Sequence, residues 1–223
     1  MPTLLNETLQ SQIRDAFEQL QHPVQILFFG TQEQCLFCED TLQLVSEVAG
    51  LSDKLKISVF DITEDSAVAK NYNISLTPGL VIAGEDEDGP VDFGIRYLGI
   101  PSGHEFSSLI QDILIVSSRD SGLSDQTRDF LAELSEPVLL QVFVTPTCPY
   151  CPQAVITAHQ LAMESPYVEA EMVEATEFPD LSNQYRIMGV PDTVINQGKG
   201  KIVGAVPEGQ LMIEIKNVLA KTD

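Results

Sequence analysis

Residues 138–151 read VLLQVFVTPTCPYC, and residues 24–38 read VQILFFGTQEQCLFC. Each stretch is a mostly apolar run of strand length, interrupted by one glutamine (Gln25, Gln141) and followed by two cysteines with two residues between them. Such a run, rich in Val, Ile, Leu and Phe, marks a strand buried on both faces. Past Cys38 the apolar residues fall at Leu42, Val45 and Val48, and past Cys151 at Val155, Ala158, Leu161 and Ala162. Spacings of three and four give one buried helix face. In both places the chain therefore passes from strand to cysteine pair to helix.

The likeness of the two stretches extends into a repeat. At the 113-residue offset that carries Cys35 to Cys148, Asp61 meets Glu174, Thr63 meets Thr176, Tyr72 meets Tyr185, Ile74 meets Ile187 and Pro78 meets Pro191. Val81 and Ile82 meet Val194 and Ile195 at the same offset. Beyond them the offset shrinks, and residues 99–103 (GIPSG) resemble residues 205–209 (AVPEG), which implies a shorter hairpin in the second copy. Ordered matches spread over some fifty residues are a poor fit to coincidence between two cysteine pairs.

Both copies show one order of elements. An amphipathic helix leads (4–20 and 124–135), then the buried strand, then the helix that the cysteines open. A second strand (55–62, 168–174), a short helix (64–72, 177–185), a proline with an apolar strand (80–82, 193–195), a further strand (92–98, 201–206) and a last helix complete it. This order predicts an α/β fold of two tandem units, each a central mixed sheet with helices on both faces. The polar stretch 116–123 is the seam, dividing the chain into units of 1–117 and 118–223. It is short, so the units should pack together.

Twelve Lys and Arg against 33 Asp and Glu leave a net charge of −21. Nucleic-acid binding needs cations to neutralise phosphates, so DNA, RNA and anionic membrane surfaces are excluded as partners. Hydrophobic residues make up 43% of the chain, enough for a packed core. The N-terminus has no basic stretch followed by an apolar one, and no apolar run approaches membrane-spanning length. The expected location is the cytoplasm.

A CxxC pair that opens a helix has defined chemistry. The first cysteine faces unpaired N–H groups and the positive end of the helix dipole, which stabilise its thiolate. The second lies one turn further in and can resolve a mixed disulfide. Cys35 and Cys148 are thus the expected nucleophiles, and Cys38 and Cys151 the resolving residues. Sulfurs should lie in bonding range within each pair, and the pairs far apart. A zinc site would want its halves closer than the 109 residues between Cys38 and Cys148, so no metal is expected. Inert thiols do not explain two pairs at equivalent junctions. One active pair beside one decayed pair remains an alternative.

Strand, CxxC, helix, strand, helix and a proline before a strand resemble the thioredoxin fold, and C-P-Y-C at Cys148–Cys151 resembles the active site of glutaredoxins. Two such units in one chain of this length resemble the protein disulfide oxidoreductases of thermophilic archaea and bacteria. The resemblance covers nearly the whole chain, and in each copy the proline follows the first cysteine by 43 residues. It implies that Pro78 and Pro191 are cis and face the disulfides, and that Thr77 and Val190 offer backbone hydrogen bonds to a substrate peptide. It implies protein disulfides as substrates, no bound cofactor, and electrons from a thioredoxin-reductase-like flavoprotein. A carrier role toward a peroxidase, with a peroxiredoxin as partner, is the enzymatic alternative. A non-catalytic binding or chaperone module is the alternative from another class.

Two departures stand out. The chain has no Trp, and Phe29 and Val142 occupy the positions where thioredoxins bury an acid. The proton of the resolving cysteine is then left to water or Glu174. His159, two turns past Cys151, reads as an ordinary helix-face residue, and His22 and His104 as exposed. The acidic run 85–89 and Gly198-Lys199-Gly200 read as hairpin turns.

Overall fold

In the computed structural model, which describes residues 3–31 and 35–220, hydrogen bonding joins every strand of both copies into one sheet. The first copy comprises α1 (Glu7–Phe17), β1 (Val24–Gly30), α2 (Cys38–Ala49), β2 (Leu55–Asp61), α3 (Ser66–Asn71), β3 (Gly79–Asp86), β4 (Gly89–Val91), β5 (Ile95–Leu98), a 3-10 turn (Gly103–Glu105) and α4 (Phe106–Ser118). The second comprises α5 (Asp125–Ala132), β6 (Val138–Val144), α6 (Cys151–Glu164), β7 (Val168–Glu174), α7 (Pro179–Gln184), β8 (Asp192–Ile195), β9 (Gly200–Val203) and α8 (Glu208–Leu219). The strand order is β2-β1-β3-β5-β7-β6-β8-β9, with β4 paired to β3.

The apolar runs sit at the centre of each half for the reason their composition gives. β1 and β6 have neighbours on both sides, and their residues are almost all buried. One face of the sheet carries α1, α2, α4, α5, α6 and α8 over a single large core, and the other carries α3 and α7 over a smaller one. The repeat recurs in detail. Phe29 packs on Tyr72 at 6.0 Å and Phe143 on Tyr185 at 5.9 Å; burial of one such ring contributes roughly 1.5–3 kcal/mol. Arg96 Nε donates to the Tyr72 carbonyl at 2.8 Å, and Lys201 Nζ donates to that of Tyr185 at 3.1 Å. Both cations satisfy the open carbonyl end of a short helix.

The halves meet where β5 and β7 pair in parallel, Ile95 to Leu98 against Ala170 to Val173. α4 packs on α6 over the same junction. The strand expected at 92–98 covers only Ile95–Leu98, because the chain turns at Gly94. That residue has φ +75°, its N–H donates to Asp92 Oδ1 at 2.9 Å, and a Cβ there would lie 2.5 Å from the Val168 carbonyl oxygen. The acidic run closes the β3–β4 hairpin. Among the described residues no helix is long and apolar enough to cross a membrane.

Candidate active site

Each cysteine pair is disulfide-bonded. The Cys35–Cys38 sulfurs are 2.00 Å apart and the Cys148–Cys151 sulfurs 2.27 Å, with Cα–Cα separations of 5.4 and 5.5 Å. Cys38 and Cys151 are the first residues of α2 and α6, so each disulfide sits at a helix N-terminus. The preceding residues, Phe37 and Tyr150, provide no side-chain cap, which leaves first-turn N–H groups to the sulfur site. Gly30 allows the close packing beneath the first pair: a Cβ there would stand 3.3 Å from Cys38 Sγ.

Strand directions place the two pairs on one edge. β1 and β6 run the same way, and both lead out of the sheet at the end where the cysteines follow. α2 and α6 cover the same face. Four strand steps separate β1 from β6, which at ~4.8 Å per step is about 19 Å. Four sulfurs therefore do not converge on one point as a shared zinc site requires. The pairs also differ in exposure: Cys148 and Cys151 are buried in the core, while Cys35 and Cys38 are half-buried.

Thr77–Pro78 and Val190–Pro191 are both cis. β3 starts at Gly79 opposite Phe29, and β8 starts at Asp192 opposite Phe143. Each proline thus lies at the edge from which the cysteine loop departs. Both are buried, and their carbonyls accept from Gly99 N–H at 2.9 Å and Gly204 N–H at 2.8 Å. The backbone groups of Thr77 and Val190 have no hydrogen-bond partner among the described residues. Val190 packs against the core cluster that contains Cys148 and Cys151. Met188, two residues before Val190, is 94% exposed, and Tyr150, within the second cysteine pair, is 70% exposed; Leu36, within the first pair, is 84% exposed. Ser75 stands where Met188 would be in the first copy.

His159 is not the plain helix-face residue expected. It is fully buried on α6, with Nδ1 2.5 Å from Asp112 Oδ2 of α4. The Tyr97 hydroxyl of β5 donates to the same carboxylate oxygen. Glu105, at the end of the 3-10 turn, accepts from Ser108 Oγ at 2.7 Å, and burial pushes its carboxyl up to about 7. The backbone N–H of His104 ties that turn to the Pro146 carbonyl at 2.9 Å, two residues before Cys148. A buried ionisable cluster thus spans the two halves behind the second cysteine pair. Its sequence signal was His159 itself, which shares a helical stripe with Cys151, Val155 and Ala162. Its partners come from the other half, at no fixed spacing. His22 and His104 are exposed as expected.

Glu174 is engaged locally. Its Oε2 accepts from Thr176 N–H at 3.1 Å, Thr176 Oγ1 at 2.7 Å and Glu177 N–H at 2.6 Å, closing the turn after β7. Asp61 closes the equivalent turn after β2, accepting from Thr63 N–H at 2.8 Å. Glu177 accepts from Ile100 N–H at 2.8 Å.

Burial raises Glu105, Glu171 and Glu177 to about 7 each. A carboxyl whose folded value lies above its unfolded one favours the fold fully below the unfolded value and loses that stabilisation as pH rises through the folded value. Thermal stability is therefore expected to fall between about pH 4.5 and pH 7. Glu171→Gln should flatten part of that slope in melts across pH. A melting temperature that climbs from pH 5 to pH 8 would contradict the assignment.

Comparison with known proteins places this geometry. The family model of a thioredoxin domain matches residues 138–217. The alkyl hydroperoxide reductase AhpF of Pseudomonas aeruginosa is 25% identical over 221 residues, which is 99% of this chain but 37% of that protein. The chain thus spans little more than a third of the length of that relative. A structure of the alkylhydroperoxide reductase AhpF from Enterococcus faecalis superposes with a TM-score of 0.85 at 29% identity, covering 94% of this chain and 98% of that one. A protein disulfide oxidoreductase from Aeropyrum pernix superposes with a TM-score of 0.87 at 30% identity, covering 95% of this chain and 92% of that one. With strand order, paired CxxC sites and both prolines in place over that whole length, the chain belongs to the protein disulfide oxidoreductases built from two thioredoxin-fold units.

Proposed function

We propose that the chain, divided into units of 1–117 and 118–223, exchanges thiols and disulfides with protein substrates at both cysteine pairs. In the reducing direction the Cys148 thiolate attacks a substrate disulfide, forming a mixed disulfide and expelling one substrate thiolate. Cys151 then attacks Cys148 Sγ, which re-forms the enzyme disulfide and releases the second substrate thiolate. Two electrons pass to the substrate. Glu105 takes the Cys151 proton, in place of the acid that thioredoxins carry where Val142 stands; its burial, its raised proton affinity and the tie of the neighbouring His104 N–H to the Pro146 carbonyl support that role. Cys35 and Cys38 run the same cycle in the first unit. The unpaired backbone groups of Thr77 and Val190 receive an extended substrate segment as a short added strand.

The observation that carries this reading is a bonded CxxC pair at the first turn of a helix, twice over. Insulin reduction driven by dithiothreitol tests it. Many turnovers per molecule are expected; a single stoichiometric burst would favour a binding module. Electrons enter from a thioredoxin-reductase-like flavoprotein. The match to part of the alkyl hydroperoxide reductase AhpF supports a carrier role toward a peroxiredoxin as the second reading.

The exposed Met188 and Tyr150 should recognise an apolar substrate side chain. Met188→Ser installs the first unit's residue there. Because burying a Met is worth ~1.5–3 kcal/mol, KM for insulin should rise about tenfold, while attack on a small aromatic disulfide stays unchanged. Equal losses on both substrates would show that Met188 acts on the thiolate or the fold instead.

A further inference from the structure

The first turns of the two cysteine helices differ in charge at equivalent positions. After Cys38, α2 carries Glu39 and Asp40; after Cys151, α6 carries Pro152 and Gln153. We infer that Glu39 and Asp40 act as tuning residues that make the N-terminal pair the more reducing of the two and leave Cys148 the readier nucleophile. The inference rests on both pairs being redox-active, as proposed above.

A thiolate at a helix N-terminus is stabilised by the open N–H groups and the dipole. Carboxylates in the same turn occupy that positive end and repel the sulfur anion. At Cys35 they oppose the stabilisation; at Cys148 the first turn of α6 has no acid to oppose it. Stabilising the thiolate stabilises the reduced form and raises the reduction potential, and destabilising it does the reverse. The first pair should therefore hold electrons at lower potential, and the second should present more thiolate at neutral pH.

Other charges near each pair do not cancel the contrast. Near the first pair Asp61 sits at the end of β2 with its carboxylate held by turn donors. Near the second pair stand Glu105, Glu174 and Glu177. Glu174 is met by three donors, and burial pushes the carboxyls of the other two up, which disfavours their charged forms. Glu39 and Asp40 are exposed, so salt screens their effect.

The test equilibrates the full chain with glutathione buffers at pH 7 and quantifies each pair separately by differential alkylation and peptide mass. The exchange constants of the two pairs should differ by about tenfold, about 30 mV for a two-electron couple, with the first pair lower. Glu39→Gln with Asp40→Asn should remove most of that gap by moving the first pair alone. Gln153→Asp should move the second pair alone, downward by about threefold. Raising ionic strength from 0.05 to 0.5 M should narrow the wild-type gap. A first pair equal to or above the second, or a gap that survives neutralisation, overturns the inference. No protein substrate enters these equilibria, so failed insulin turnover would remove the enzymatic reading and leave this result standing.

Discussion

Cys148→Ser is expected to remove most of the insulin-reducing activity, about tenfold, the change in thiolate fraction that one unit of thiol acidity produces. Cys35→Ser should leave most of it. Three features of the second site converge on that ranking. The first turn of α6 carries no acid against the nucleophile. Met188 and Tyr150 are both exposed in the second copy, whereas Ser75 stands at the Met188 position in the first, where Leu36 is the exposed apolar residue next to Cys35. The 3-10 turn that carries Glu105, the acid proposed to serve the second site, is tied through the His104 N–H to the Pro146 carbonyl, two residues before Cys148. The equivalent turn in the second copy leads into α8 at the far end of the sheet, so neither site receives a matching acid from it. Steady-state rates of the two variants decide the matter. Abolition by Cys35→Ser with sparing by Cys148→Ser would reverse the ranking.

Asp112→Ala should cost about 3–5 kcal/mol, at about 1–3 kcal/mol for each buried hydrogen-bonding group left without its partner. It removes the one carboxylate shared by His159 and Tyr97, both fully buried, and leaves two polar groups without their partner. For a chain of this size that corresponds to a fall in melting temperature of roughly 10 °C. Asp112→Asn keeps an acceptor for the Tyr97 hydroxyl and should cost less. Because the cluster joins α4 and β5 to α6, fluorescence and circular dichroism should report one shared transition at the lower temperature. A change under about 2 °C would mean that the cluster is replaceable.

The architecture was legible wherever its cause was local. Apolar runs before each CxxC, helical spacing after it, and the fixed offset from Tyr72 to Tyr185 mark elements whose burial depends on near neighbours. The prolines and all four cysteines lie at the sheet edge that this pattern implies. What sequence did not disclose depends on contacts between the copies. Parallel pairing of Ile95–Leu98 with Ala170–Val173 leaves no spacing signal, since both strands would be buried under many arrangements. His159 looked like part of an ordinary helix face because Asp112 and Tyr97 arrive from the other half. Glu174 was a plausible proton acceptor by position, and the donors of its own turn, which hold its Oε2, were not legible from that position. Gly94 shortened a strand that composition would have continued.

The separation of the two pairs along the sheet edge also settles how reducing equivalents are counted. A fully reduced molecule holds four electrons, two in each of its two dithiols. Exchange requires sulfur to touch sulfur, and about 19 Å of sheet lies between the pairs. Neither dithiol can reach the other disulfide within one molecule, so the four electrons leave as two independent packets that cannot pool. A half-reduced molecule redistributes its charge only by meeting a second copy or a diffusible thiol. The rate at which a population evens out should therefore rise with protein concentration.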